Sequence, residues 1–250
     1  MVRVEILREG VAADIFCEKP EELTRPQQDF DFFVQKADTR KKKLLVCDME
    51  STIIDNEFLD EIADIVGAHD QVAAITERAM NGEINFEEAL EERIKIVSGL
   101  PESEVRALIA SRLQYNQGAK ELIAACRSNG VYTMLVSGGF TIFTDHVARE
   151  LGFDESYANR LIFTRGKLSG VEKPILSKES KLHFLQSKAA DMGINLEQTA
   201  AIGDGANDLP MLHAAGLGIA YKAKPKVKGE IKAQINHSDL MAAAFAMGII

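Results

Sequence analysis

Lys43-Leu44-Leu45-Val46-Cys47-Asp48-Met49-Glu50-Ser51-Thr52 runs through four consecutive apolar residues and then turns polar at an aspartate. A short run without polar alternation is the pattern of a strand buried on both faces, as in the middle of a parallel sheet. Three more such runs follow, at residues 131–136 before Ser137, at 199–202 before Gly203-Asp204, and at 217–220. Helical periodicity lies between them. Residues 118–129 place apolar side chains at 119, 122, 123 and 126, and residues 180–192 place them at 182, 184, 185, 189 and 192. Strands alternating with helices give an α/β fold built on a parallel sheet.

Residues 58–113 interrupt that alternation. Phe58, Leu59, Ile62, Ile65 and Val66 form one amphipathic stripe, and Asn85 followed by Glu88 reads as a capping box opening a helix over residues 86–97. Pro101 with Glu102 and Glu104 starts another. A helical insertion after the first strand sits above the carboxyl edge of the sheet, where ligands bind in open parallel sheets, and is placed to act as a lid. Residues 157–175 read as a hairpin turning at Arg165-Gly166. Near the N-terminus, Val2 to Leu7 alternates like a strand, and residues 18–27, with two prolines, read as loop.

Composition narrows the function classes. The 250 residues are 46% hydrophobic and 27% charged, an ordinary globular mix, with a formal net charge of −9. Nucleic-acid binding as the main task needs a basic footprint that this chain lacks. No apolar run approaches the ~18 residues of a membrane span, and the first residues lack a secretory pattern. The three cysteines, Cys17, Cys47 and Cys126, are far apart and form no CxxC, so a reducing, cytoplasmic setting is expected. The five histidines show no metal-ligand spacing.

The chemistry gathers at strand ends. Parallel strands bring Asp48-Met49-Glu50-Ser51-Thr52, Ser137-Gly138-Gly139 and Gly203-Asp204-Gly205-Ala206-Asn207-Asp208 to one edge. Asp48, Glu50, Asp204 and Asp208 form a carboxylate cluster that is costly unless a cation neutralises it. Hard oxygen donors without Cys or His suit Mg²⁺, which binds through one or two carboxylates plus substrate phosphate. Hydroxyls and glycine-flanked amides offer an anion cradle. Metal and cradle together point to a phosphate ester, with one carboxylate available as a covalent nucleophile.

These motifs, over roughly residues 43–245, resemble the haloacid dehalogenase (HAD) superfamily and, within it, the phosphoserine phosphatases. Asp48 to Thr52 looks like the first family motif, residues 136–140 like the second, and residues 203–208 match the fourth; Lys178 and Lys181 both fit the third locally, and its separation from the fourth selects Lys181. The resemblance implies a Rossmann-like core over residues 43–57 and 115–250, a C1-type helical cap over 58–114, and a short N-terminal segment, 1–42, which reads as the remnant of a regulatory domain. It implies Asp48 as nucleophile, with Mg²⁺ held by Asp48, Asp204 and residue Glu50 through its carbonyl. Lys181, Ser137, Gly138 and Asn207 would bind the phosphoryl group, and Asp208 would support Lys181 or metal-bound water. Glu57 and Arg93 would take the ammonium and carboxylate of O-phospho-L-serine.

At one position the chain departs from the pattern. The residue two after the nucleophile, the acid/base, is typically Asp and here is Glu50. Glu supplies the carboxyl with one more methylene of reach. The reading is hydrolysis of O-phospho-L-serine in serine biosynthesis. The alternatives are action on another small phosphate ester and, because of Glu50, a non-catalytic phospho-ligand binder. No nucleic-acid or membrane partner is expected, and a homodimer is possible.

Overall fold

The computed structural model describes residues 2–19, 30–80 and 83–249. Two N-terminal strands, β1 (Arg3–Arg8) and β2 (Ala12–Phe16), form an antiparallel hairpin. The chain then enters the sheet as β3 (Leu44–Cys47) and leaves it for α1 (Phe58–Ile65), α2 (His69–Met80), α3 (Phe86–Ile96) and α4 (Glu102–Arg112). It returns through α5 (Ala119–Ser128), β4 (Tyr132–Phe140), α6 (Thr141–Leu151) and β5 (Glu155–Asn159). A second hairpin, β6 (Leu161–Thr164) and β7 (Lys167–Val171), precedes α7 (Lys178–Asp191), β8 (Thr199–Gly203) and α8 (Leu209–Ala214). The last elements are β9 (Leu217–Tyr221), α9 (Pro225–Glu230), β10 (Ala233–Ile235) and α10 (Met241–Ala246).

Six strands make one parallel sheet in the order β10-β9-β8-β3-β4-β5. Strand β3, wholly buried, is central because neither of its faces can meet water. Leu44 and Val46 point into one apolar layer with Leu185, Ala189, Leu209 and Leu212. Leu45 and Cys47 point into the other, with Leu122, Ile123, Phe143 and Val147. This is the two-residue period of a strand, and each such side chain contributes about 1.5–3 kcal/mol by leaving water. Register then places the site. Cys47 pairs with Leu135 on β4 and with Ile202 on β8, so Asp48, Ser137 and Asp204 emerge at the same edge.

Several boundaries differ from the sequence reading. Strand β4 continues through Ser137, Gly138 and Gly139 to Phe140, so the second polar cluster is the end of the strand and not a turn after it. Residues 157–159, read as part of the hairpin, belong to the parallel edge strand β5; the antiparallel hairpin is confined to β6 and β7. Strands β5 and β10 are short and at the sheet margins, where polar residues are tolerated and the apolar signal fades. In α1, Phe58 and Ile62 are buried as expected, but Ile65 and Val66 are 37% and 40% exposed, beyond the reach of α2. The loop expected over residues 18–27 lies mostly outside the described residues.

The capping box is present: Glu88 N donates to Asn85 Oδ1 at 2.9 Å and Asn85 N to Glu88 Oε2 at 3.0 Å. The β6–β7 hairpin ties the inserted helices to the rest of the molecule. Gly99 N donates to Leu168 O, Leu168 N to Leu100 O, and Glu102 N to Gly166 O, at 2.8, 2.8 and 2.9 Å. The two chain crossings into the insertion are laced by Asn56, whose side chain donates to Arg112 O at 2.9 Å and accepts from Gln114 N at 2.8 Å.

On the N-terminal hairpin, Val4, Ile6 and Ile15 are 60%, 69% and 55% exposed. The segment after it is anchored to the C-terminus. Asp31 accepts from the amides of Asn236 and Ser238 at 2.8 Å, and Arg40 donates to Phe245 O at 2.8 Å. No helix among the described residues is long and apolar enough to cross a membrane.

Candidate active site

Asp48 leaves β3 with its amide bonded to Ile202 O of β8 at 2.9 Å, so the sheet ladder fixes where the carboxylate starts. Lys181 comes from the first turn of α7. Its Nζ lies 2.6 Å from Asp48 Oδ1 and 2.6 Å from Asp208 Oδ1, with the lysine 2% exposed. Burial works against the ammonium, but the two carboxylates outweigh it and hold Lys181 charged. The side chain of Lys178, the other local match, lies outside the described residues.

Asp208 is held by the loop before it. Its Oδ2 accepts from the amides of Asp204 and Gly205 at 3.2 and 3.0 Å. A Cβ on Gly203 would come within 2.5 Å of the Asp208 carboxyl carbon, so only glycine allows this approach. Asn207 likewise folds its side chain over the bare Cα of Gly205.

Carboxylate oxygens of Asp48, Asp204 and Asp208 all lie within 4.8 Å of one another, and all three residues are buried. Burial first, and then neighbouring carboxylates, push Asp48 upward; burial does the same to Asp204. Three buried carboxylates face one buried ammonium, a formal excess of two negative charges. That excess and the all-oxygen donor set fit a divalent hard cation. The Glu50 carboxylate is not among these three, and the metal role the resemblance implies for residue 50 is that of its backbone carbonyl.

Glu50 turns toward α1, where Phe58 N donates to its Oε1 at 2.8 Å. Desolvation, with the neighbouring Glu57 carboxylate, pushes the Glu50 carboxyl up to about 8 despite that amide. A group so tuned carries a proton near neutral pH, as a general acid requires. Ser51, next in the chain, adopts a left-handed conformation (φ 55°) rare for a residue with a side chain, and donates from Oγ to Glu57 Oε1 at 2.7 Å.

Ser137 is buried, and its Oγ accepts from Gly139 N at 2.9 Å; Gly138 O accepts from Asn159 Nδ2 at 2.7 Å. Glu57 stands exposed at the mouth of the site. Arg93 of α3, half-buried, donates from Nε to Ala89 O at 3.2 Å. Desolvation lowers its guanidinium, against the fields of Asp60, Glu50 and Glu57.

The sequence reading passed over two residues that the structure brings here. Lys224 Nζ lies 3.4 Å from Asp204 Oδ2, and Lys224 N donates to Asp204 O at 3.0 Å. The available signal was position: Lys224 follows the end of β9, a fourth strand opening on the same edge. Phe86, 41% exposed on α3, reaches to 3.5 Å from where a Cβ of Gly138 would stand. Its signal was its place directly after the Asn85 cap, which aims it off the helix start.

The haloacid dehalogenase-like hydrolase family matches residues 45–213. A phosphoserine phosphatase of Streptococcus thermophilus is 45% identical over 80% of this chain and 93% of its own length. One of Archaeoglobus fulgidus is 42% identical over 82% of this chain, which spans 60% of that longer relative. Among solved structures, a substrate-bound phosphoserine phosphatase complex superposes with a TM-score of 0.74 at 41% identity, over 81% of this chain and 96% of that one.

Proposed function

The chain belongs to the haloacid dehalogenase-like hydrolases, and from that membership we propose that it hydrolyses O-phospho-L-serine to L-serine and phosphate through a phosphoryl group carried on Asp48. The observation that carries the reading is the buried contact of Lys181 with Asp48 and Asp208 at the sheet edge where Asp204 also emerges. The relatives named phosphoserine phosphatase supply the substrate.

The route follows from the placement of groups. An Asp48 carboxylate oxygen attacks phosphorus, and the bond from phosphorus to the serine oxygen breaks. Glu50 gives its proton to that oxygen, so serine leaves neutral at the hydroxyl. A water then attacks phosphorus, Glu50 takes its proton, and the bond to Asp48 breaks to release phosphate. Lys181, Ser137 and the Gly138 amide hold the phosphoryl oxygens while charge redistributes, which is most of what phosphoryl transfer asks of a protein. Asp48, Asp204 and the carbonyl of residue 50 would hold Mg²⁺, which would neutralise phosphoryl charge when bound. Asn207 supports the phosphoryl site, and Asp208 keeps Lys181 charged and placed.

Selectivity belongs to the inserted helices, residues 58–114, acting as a cap, together with Glu57 at their entry. Arg93 takes the serine carboxylate in a planar, two-point contact and Glu57 the ammonium. Phe86 closes the side of the pocket over Gly138. The experiment is transfer of a labelled phosphoryl group from O-phospho-L-serine, quenched in acid and mapped by mass spectrometry. Label on the peptide bearing Asp48, absent in Asp48→Asn, is the expected result; turnover with label on no aspartate would discard the covalent route.

A further inference from the structure

Glu50 is longer by one methylene than the aspartate usual at its position, about 1.5 Å of extra reach, and the structure has a place for it. Its Oε1 is held by the Phe58 amide at 2.8 Å. Its Oε2 lies against the bare Cα of Gly139: a Cβ there would stand 2.7 Å from Oε2 and 3.1 Å from the Glu50 carboxyl carbon. Real Cβ atoms do not approach so closely. We propose that Gly139 is a positioning residue for a glutamate acid/base, its missing side chain providing the space that the extra methylene of Glu50 needs.

Two further observations make the pairing specific. Gly139 is not among the glycines in the left-handed region, so its backbone does not by itself demand glycine. The atom an added methyl would strike first is Glu50 Oε2, at 2.7 Å, the far end of a flexible side chain, whereas Ser137 Oγ, at 3.1 Å, need give only a few tenths of an ångström. A displacement near 1 Å at a reacting group costs on the order of 10²-fold in rate. An aspartate at 50 draws the carboxyl back from the methyl and relieves the conflict. The inference rests on the acid/base reading of Glu50 given above.

The test is a double-mutant cycle of Gly139→Ala and Glu50→Asp, with phosphoserine and p-nitrophenyl phosphate as substrates. In the Glu50 background Gly139→Ala should lower kcat/KM on phosphoserine, which reads the steps up to departure of the leaving group, about 100-fold. It should lower kcat/KM on p-nitrophenyl phosphate, whose leaving group needs little protonation, far less. With Asp at 50 the phosphoserine penalty should shrink at least tenfold. Equal penalties in both backgrounds, or equal losses on both esters, would overturn the proposal. An activity-independent measurement separates its failure from failure of the substrate assignment. In ¹⁵N-labelled protein, Gly139→Ala should shift the Phe58 amide resonance and speed its hydrogen exchange, as the Glu50 carboxylate withdraws. An unmoved Phe58 amide would overturn the pairing whatever the substrate proves to be.

Discussion

Lys181 and Asp48 meet at 2.6 Å with both side chains shut off from water, 3% and 7% exposed. They lie 133 residues apart in sequence, and only the pairing of β3 with β8, followed by the placement of α7, brings them together. A buried charge missing its partner is expensive, so the contact ties stability and chemistry together. Lys181→Met should leave Asp48 and Asp208 facing each other unneutralised. It should cost about 3–5 kcal/mol in denaturant unfolding and about 10³-fold in kcat. Wild-type turnover in this variant would remove Lys181 from the phosphoryl site.

On the proposed reading, Arg93 separates recognition of serine from the chemistry. Arg93→Ala should reduce kcat/KM on O-phospho-L-serine by about 10–100-fold, the value of a charge-assisted hydrogen bond of 1.5–3 kcal/mol. It should leave p-nitrophenyl phosphate within a fewfold, because that ester has no carboxylate. Equal losses on the two substrates would assign Arg93 to the cap's structure.

Lys224 pairs with Asp204 at 3.4 Å from an exposed position, where it would compete with the proposed cation. Lys224→Gln should therefore tighten Mg²⁺ binding about two- to fivefold, as an exposed ion pair of under 1 kcal/mol allows. Calorimetric titration of the metal-free protein reads this directly. Weaker binding in the variant would mean that Lys224 helps to build the site.

Asp31 gives a pH dependence of stability. Burial raises its carboxyl, but amides of Asn236, Ser238 and His237 outweigh this and hold it below the ordinary aspartate value. A group lower in the folded state stabilises the protein above its unfolded value, about 3.9, and loses that contribution as pH falls through the folded value. Asp31→Asn should thus lower the unfolding midpoint at pH 7, and the gap from wild type should close below about pH 4. A gap that persists in acid would make the effect one of shape alone.

Asn56 is 7% exposed and joins the two crossings into the inserted helices. Asn56→Ala leaves Gln114 N and Arg112 O without this partner and should cost about 1–3 kcal/mol in denaturant unfolding. Unchanged stability would show that the crossings hold without it.

Much of this arrangement was legible because the central strands cannot hide. Residues 44–47, 131–136, 199–202 and 217–220 are apolar for a physical reason, burial on both faces, and each ends where the chemistry begins. The capping box of α3 was equally plain, since Asn85 and Glu88 satisfy backbone groups of their own turn. What escaped was set by tertiary position. Strands β5 and β10 have no apolar pattern of their own, because one side of each lies at the sheet margin. Ile65 and Val66 share the α1 stripe, yet they stay 37% and 40% exposed. Lys224 and Phe86 carry no local signature, and only the fold shows that the Phe58 amide draws Glu50 toward α1.

The most direct measurement is phosphate release from O-phospho-L-serine by the pure protein, with Mg²⁺ and again with EDTA, beside O-phosphothreonine and p-nitrophenyl phosphate. The account predicts turnover that favours phosphoserine, is lost in EDTA and returns with Mg²⁺. Turnover of another ester with none on phosphoserine would contradict the substrate, and folded protein silent on all three would contradict the account of Glu50 as a working acid/base.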